Sequence, residues 1–475
     1  MISLKTRVLY GTGGAVYAVK EAAYSMFVLL YYTQVLGLSG TITGIVMSTA
    51  LIVDGITDPL VGSWSDRLRS RYGRRYPFIA LSVLPLGLGF IGLFTPPEIL
   101  IDKPYWLAAW LLLWTLWIRT FLTTFSIPHL ALSAEITSDY QERSSIMGAR
   151  MKFAFLFSVV TPAIGLVWIF SSNDGVDGRF VSSNYPLYGL LSCIAVWIMG
   201  AAAVWGAKPF ARPTPANTDR PGTNFKTLTQ DLMRTLTNLS FRNMLYYEIA
   251  AMVAWGTIST LNMLAWTYYW EFSATEISLI LSIPSLIAIV LVMFTLGPLS
   301  DRFQKHHLLQ YALIGLILDL LWMYPMKMMG LMPDNANLIF AANFVFMMIF
   351  MYCYLIRAIT SYSIISDITD EHELDHGVRQ EAGFFAVLNF IAKFASVFGP
   401  IYAGIALDVI GLKTGMLPGE VPLATQNGLV YAMGVGILPA LLVAVYFVLR
   451  INLDKARVED IQAKLKARQQ EQPLL

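Results

Sequence analysis

Two aspartates, Asp54 and Asp58, sit four residues apart inside the apolar run "LIVDGITDPLVGSW" (Leu51 to Trp64). Side chains at i and i+4 share one face of a helix. Two acids that close cannot both stay ionised in a dry site without a cation or a proton between them. Pro59 supplies a further oxygen, because it has no N–H for the carbonyl of Gly55, and glycine best tolerates the clash of the proline ring there. A free carbonyl beside two carboxylates makes an oxygen cage suited to a monovalent cation or a proton. The competing reading is an interhelical hydrogen bond or salt bridge, yet two acids on one face exceed what packing requires.

Whether that chemistry applies depends on the medium. The chain has 475 residues, 56% of them hydrophobic and 13% charged, where soluble domains carry roughly a quarter charged residues. It reads as an integral membrane protein. A net charge of +2 argues against a nucleic-acid partner. Cys193 and Cys353, both in apolar runs, exclude a disulfide framework and a cysteine-based zinc site. The start, "MISLKTRVLYGTGG", leads into an apolar segment longer than the core of a signal peptide, so no cleavage is expected. Neither G-x-S-x-G nor H-E-x-x-H occurs, and "GTGGAV" lacks the strand and the Lys-Ser/Thr ending of a phosphate loop. No enzyme is expected, and no cofactor beyond a coupling ion.

A spanning helix needs about 20 mostly apolar residues, and twelve segments meet that length, arranged as six, a gap and six. The expected division is an N-terminal bundle over 1–206, a linker over 207–241, a C-terminal bundle over 242–450 and a tail over 451–475. The linker begins Pro-rich and its later part suits a short surface helix; the charged tail reads as a solvated extension. "GSWSDRLRSRYGRR" after the second span and "GPLSDRFQKHH" after the eighth place Gly, Ser, Asp and Arg alike, as a duplicated six-helix unit would. Arg67, Arg69, Arg71, Arg74 and Arg75 lie on the side of both termini, whereas few basic residues, Lys103, Arg179, Lys327 and Lys413, lie opposite. By the positive-inside rule both termini face the cytoplasm of a plasma or inner membrane.

Inside the spans a charge costs at least about 2.5 kcal/mol, so each should face a partner or a wet cavity. Besides the aspartates, such residues are Lys20, Glu21, Arg119, Arg150, Lys152, Glu248, Asp319, Arg357 and Lys393. Lys393 is a lone cation in "NFIAKFASVFGP", with the Asp54/Asp58 pair as its obvious counter-charge and snorkelling as the alternative. Lys20 and Glu21 are adjacent and point about 100° apart on a helix, so they are expected not to pair with each other, and at least one should face a central cavity. Arg150 and Lys152 lie near the start of the fifth span and either snorkel or meet substrate. Trp266 and Tyr269, in "LAWTYYWEF", are candidate substrate platforms among aromatic residues that mostly serve packing. Asp66 with Arg67, and Asp301 with Arg302, are expected to pair with neighbouring helix ends as a cytoplasmic gate.

These residues resemble a known family. "DGITDPLVGSWSDRLRSRYGRRYPFI", "YYTQVLGLS", "SIPHLALSAEITSDYQERSSIMGARM" and "SIISDITDEHELDHGVRQEAGFFAVLNFIAKF" look like the glycoside-pentoside-hexuronide:cation symporters, the melibiose permease group of the major facilitator superfamily. The stretches come from both halves and in family order. The resemblance implies an all-α fold of twelve transmembrane helices in two six-helix bundles, and alternating access to a central site. It implies cation-site roles for Asp54, Asp58 and the Thr123 hydroxyl, a nearby lysine at Lys393, and a sugar-contacting arginine at Arg150. Two positions depart from it: Ser126 replaces a fourth-helix acid shared by cation and sugar, and Ala18 replaces a first-helix acid that binds sugar. With one carboxylate fewer, the site suits a proton at least as well as sodium, and Lys20 and Glu21 are placed to reshape the pocket. The expectation is a monomeric H+- or Na+-coupled symporter of a sugar or glycoside, surrounded by membrane lipid. The alternatives are a lysolipid symporter, because the vertebrate sodium-dependent lysophosphatidylcholine carriers look similar around the second-helix acids, and a non-transporting membrane scaffold.

Overall fold

The computed structural model describes residues 2–471 except 138, 173–175, 212–235, 334, 377–380 and 452. The described residues are almost wholly helical. Among the described residues, eleven helices are long and apolar enough to cross a membrane. The twelfth span is the first in the chain: Leu4–Gly11 and Gly13–Ala22 continue into π-helical turns at Ala23–Val28 and Tyr31–Val35. The second to sixth helices are Gly40–Arg67, Tyr76–Phe94, Pro104–Ile136, Tyr140–Ile164 and Asn184–Ala207. The seventh to tenth are Leu239–Leu264, closed by a π-turn at Ala265–Tyr269, then Ala274–Arg302, Lys305–Met328 and Ala336–His376. The eleventh breaks into Glu381–Ser396 and Phe398–Ile410, and the twelfth into Leu423–Met433 and Leu438–Val448. Exposed residues such as Leu81, Trp168 and Val409, each above 75%, are what a lipid-facing surface requires.

Contacts group the chain into two units that do not follow the sequence halves. Unit one is Met1–Phe225 with Ser259–Ser278 and Pro400–Leu429; unit two is Lys226–Ile258, Leu279–Gly399 and Val430–Leu475. The second-half pieces of unit one are clasped to the first half at the end remote from the N terminus. There Asp408 accepts from the Ser39 hydroxyl at 2.7 Å and from the N–H groups of Gly40 and Thr41, each at 2.9 Å. A carboxylate at a helix N-terminus satisfies orphan donors and complements the helix dipole. Arg179, fully buried, pairs with Asp177 and donates to Thr267 Oγ1 at 2.7 Å and to the Phe272 carbonyl at 2.8 Å. The Tyr268 hydroxyl bonds Gln34 Oε1 at 3.0 Å. Glycine permits the approach: a Cβ on Gly44 would lie 2.2 Å from the Pro400 carbonyl oxygen, and one on Gly404 2.2 Å from that of Gly40.

In unit two a buried core joins Tyr247, Ile364, Phe384 and Val448 with Ile461 and Leu465 of the C-terminal helix Lys455–Glu471. That helix is not the solvated extension its charge suggests. Val458, Ile461 and Leu465 form a stripe at helical spacing that packs onto the unit, and Arg457 bonds Glu371 at 2.6 Å. The segment that suited a surface helix, 212–235, falls outside the described residues.

Because the clasp places main chain against main chain, Gly404→Ala should lower thermal stability by about 1 to 3 kcal/mol, the range for overpacking. Gly297→Ala, where a Cβ meets nothing within 4 Å, should leave it unchanged. Melting curves of the two variants in detergent check this.

Candidate functional site

The second and fourth helices meet in unit one through complementary pairs at i and i+4. Asp54 and Asp58 project from one; Arg119 and Thr123 from the other. Arg119 Nη1 lies 3.1 Å from Asp54 Oδ2, and the guanidinium is 7% exposed. Thr123 Oγ1 lies 2.8 Å from Asp54 Oδ1 and 2.8 Å from Asp58 Oδ1, so one hydroxyl bridges both acids. The expected carboxylate pair and its hydroxyl are therefore together. Ser126, one turn beyond Thr123, is half-buried and takes no part in these bonds. Pro59 lies inside the second helix, so the Gly55 carbonyl lacks its helical donor.

Arg119 is the member that sequence reasoning passed over. It was one of several intramembrane ions without a role. Its signal was its place four residues before Thr123, the same spacing as the two acids it faces. The first helix completes the surroundings: Arg119 lies 5.3 Å from the Tyr24 ring, and Lys20 Nζ 4.8 Å from the Tyr17 ring.

Lys20 and Glu21 do pair, against the expectation drawn from their angular separation. Backbone directions 100° apart constrain Cβ atoms, not the ends of two long side chains. The four-carbon lysine stem curls its ammonium onto the neighbouring carboxylate. Lys20 is buried, whereas Glu21 is about half exposed at its side chain (47%), and Tyr17 beside them is 44% exposed. Arg150 packs its main chain against the first helix, where a Cβ on Gly14 would lie 2.1 Å from its carbonyl oxygen, and its buried Nε has no hydrogen-bond partner among the described residues.

Trp266 and Tyr269 are buried in the π-turn whose Thr267 and Tyr268 carry the clasp. Lys393 stands in the last turn of Glu381–Ser396, within unit two. Unit two holds an ionic cluster of its own: Arg357 Nη1 donates to the Tyr247 hydroxyl at 2.8 Å and approaches Glu248 at 3.4 Å, and the Tyr354 ring lies 5.3 Å from the guanidinium.

At the loops after the second and eighth helices, acids and cations meet in the same pattern in each unit. Asp66 pairs with Arg75 at 3.0 Å, and Glu135 at the end of the fourth helix receives Arg74 and Arg75. In unit two Lys305 bonds Asp367 of the tenth helix at 2.7 Å. Glu135-Ile136-Thr137 and Asp367-Ile368-Thr369 are themselves a repeat, and that repeat was the unread signal for these partners. Gly73, at φ 82°, adopts the left-handed conformation glycine favours and turns the loop so that Arg74 and Arg75 face back. Asp301 and Arg302 are exposed at the end of the eighth helix, with Arg302 5.7 Å from the Phe303 ring.

The model of the family described as MFS/sugar transport protein matches residues 9–455. The symporter YnaJ of Bacillus subtilis is 24% identical across 98% of this chain and 96% of its own length. The putative glycoside/cation symporter YagG of Escherichia coli is 25% identical across 98% and 95%. The sodium-dependent lysophosphatidylcholine symporter 1-A of Danio rerio is 29% identical, over 34% of this chain and 30% of that protein. Among solved structures, the nucleoside transporter NupG superposes with a TM-score of 0.61 at 13% identity, covering 95% of this chain and 100% of that one. A D-xylose-proton symporter also gives 0.61, at 12% identity, covering 92% and 96%. These likenesses carry the fold.

Removing one member of a buried ion pair costs about 3 to 5 kcal/mol, whereas removing both costs far less. Arg119→Gln should therefore lower thermal stability by about that amount, and Asp54→Asn combined with it should restore most of the loss. A double-mutant cycle from melting curves reads the coupling; additive losses would show that the 3.1 Å contact carries no energy.

Proposed function

Because the chain belongs to the MFS/sugar transport protein family of cation-coupled symporters, we propose that it couples uptake of a sugar or glycoside to protons, with the Asp54/Asp58 pair as the proton carrier. One observation carries the choice of ion. Thr123 Oγ1 is within 2.8 Å of an oxygen of each aspartate, and a hydroxyl has a single hydrogen to donate. Two ionised carboxylates cannot both accept it. A proton on one of them satisfies both contacts: that carboxyl donates to Thr123, and Thr123 donates to the other. The proton then belongs to the Asp54/Asp58 pair that the Thr123 hydroxyl links, with Arg119 3.1 Å from Asp54. A sodium ion bridging the acids would instead sit beside a guanidinium that already holds Asp54, and like charges repel. A proton is absorbed into a neutral carboxyl.

For the substrate, the support is the family description together with the first-helix face. Tyr17 offers a half-exposed ring and Glu21 a half-exposed carboxylate. An aromatic surface for the apolar side of a sugar ring and an acceptor for its hydroxyls are the groups such a ligand needs. The lysolipid reading draws on similarity over a third of the chain, whereas the glycoside reading draws on nearly all of it. On this reading the termini and the paired loops face the cytoplasm, and Asp66 and Arg75 belong to a cytoplasmic gate.

Counterflow with a panel of radiolabelled glycosides and lysolipids in proteoliposomes identifies the solute. Uptake driven by an imposed pH gradient in sodium-free buffer should then exceed uptake driven by a sodium gradient at equal pH. Accumulation with sodium alone would overturn the proton assignment. Asp58→Asn should abolish concentrative uptake under the pH gradient while downhill exchange persists; unchanged accumulation in that variant would remove Asp58 from the coupling step.

A further inference from the structure

The third and sixth helices touch closely at two points. A Cβ on Gly87 would fall 2.3 Å from the Trp197 indole nitrogen, and one on Gly200 2.7 Å from Val83 Cγ1. Between the start of the third helix and the end of the sixth lies a groove of about 520 Å³ lined by Tyr76, Ala80, Leu84, Val204, Trp205 and Lys208, among others. That volume falls within the roughly 300 to 1,000 Å³ of ordinary ligand sites. None of its lining residues belongs to the carboxylate cluster. Leu84 and Trp205 are 62% and 65% exposed, so the groove opens on the outer face of spanning helices, where the surrounding medium is lipid.

Its chemistry is graded from end to end. Ala80, Leu84 and Val204 are apolar; Tyr76 and Trp205 stand near helix ends, the level at which amphipathic rings collect in membranes. Two lysines complete it. Lys208 is exposed at the rim, and Lys5 Nζ lies 5.8 Å from the centre of the Trp205 ring. Among the described residues neither lysine forms an ion pair, while Arg74 and Arg75, in the loop just before the third helix, are matched by Glu135 and Asp66. An apolar slot with two unmatched cations at its mouth is complementary to one molecular shape: an acyl chain joined to an anionic headgroup.

We propose that this groove between the third and sixth helices binds an anionic phospholipid of the leaflet on the N-terminal side, its acyl chain along Ala80, Leu84 and Val204 and its phosphate between Lys5 and Lys208. The site shares no lining residue with the carboxylate cluster and does not depend on the identity of the transported solute.

The test uses the full-length protein in phosphatidylcholine/phosphatidylglycerol vesicles, with bromine carried on the chains of one lipid or the other. Bromine quenches nearby tryptophan, and the difference between the wild type and Trp205→Phe isolates the emission that belongs to Trp205. Brominated phosphatidylglycerol should quench that emission at a roughly twenty-five-fold lower mole fraction than brominated phosphatidylcholine, about fivefold from each of the two lysines, the Boltzmann equivalent of a surface lysine's attraction to anionic lipid. Lys5→Gln combined with Lys208→Gln should abolish the preference at unchanged melting temperature. Ala80→Phe, which obstructs the groove and leaves both lysines, should abolish it too. Equal quenching by the two lipids in the wild type, or a preference that survives either variant, would overturn the proposal.

Discussion

A charge buried where water is scarce must be matched, and in this protein the matching also decides which helices stay together. Asp54 with Arg119 fastens the second helix to the fourth, and Glu248 with Arg357 fastens the seventh to the tenth. Arg179 reaches from the loop before the sixth helix to the end of the seventh. Breaking one partner away from such a pair costs far more than the pair itself contributes, so these contacts specify partners more than they add stability. Asp319 is handled differently. One of its oxygens accepts the Trp322 indole N–H at 2.9 Å, and the other, buried, has no hydrogen-bond partner among the described residues.

The second helix is constrained at two levels. Its N-terminus is capped by Asp408 and held by glycine contacts to Pro400 and Gly404; its middle carries the acids bridged by Thr123. A change in the position of Phe398–Ile410 is thereby transmitted to the helix bearing Asp54 and Asp58. The eleventh helix is itself interrupted between Ser396 and Phe398, with Lys393 on one side of the break and the cap on the other. The acid pair and the clasp thus bear on one helix, Gly40–Arg67.

Much of this was legible in the sequence because membrane spans obey a simple length and polarity rule. Every apolar segment became a helix, with ends extended by a few residues where Ser39 and Asp139 supply N-caps. The Asp54/Asp58 pair was legible from its helical spacing inside an apolar run, whereas Thr123 was reached only through the family resemblance. What escaped was whatever depends on the reach of a side chain or the meeting of distant segments. Arg119 was visible as a charge but not as a partner. The Lys20–Glu21 pair forms at the tips of side chains whose Cβ atoms diverge. The C-terminal helix docks through Val458, Ile461 and Leu465, a stripe too narrow to stand out against its charged residues.

The two halves share scaffolding but not chemistry. The acid-and-cation contacts at the loops recur, Glu135 with Arg74 and Arg75 in one unit and Asp367 with Lys305 in the other. Counting back from Asp66 to Asp54 and Asp58, and equally from Asp301, leads to Ile289 and Met293. Met293 is 77% exposed and carries no charge to be matched. A duplicated helix thus supports the fold equally well with or without its acids, so Asp54 and Asp58 are not required by the architecture that holds them. They carry the desolvation cost of two carboxylates, and Arg119 and Thr123 stand opposite them at the same spacing. A carboxylate pair that the repeated helix does without is thus met across one helix face by a guanidinium and a single bridging hydroxyl.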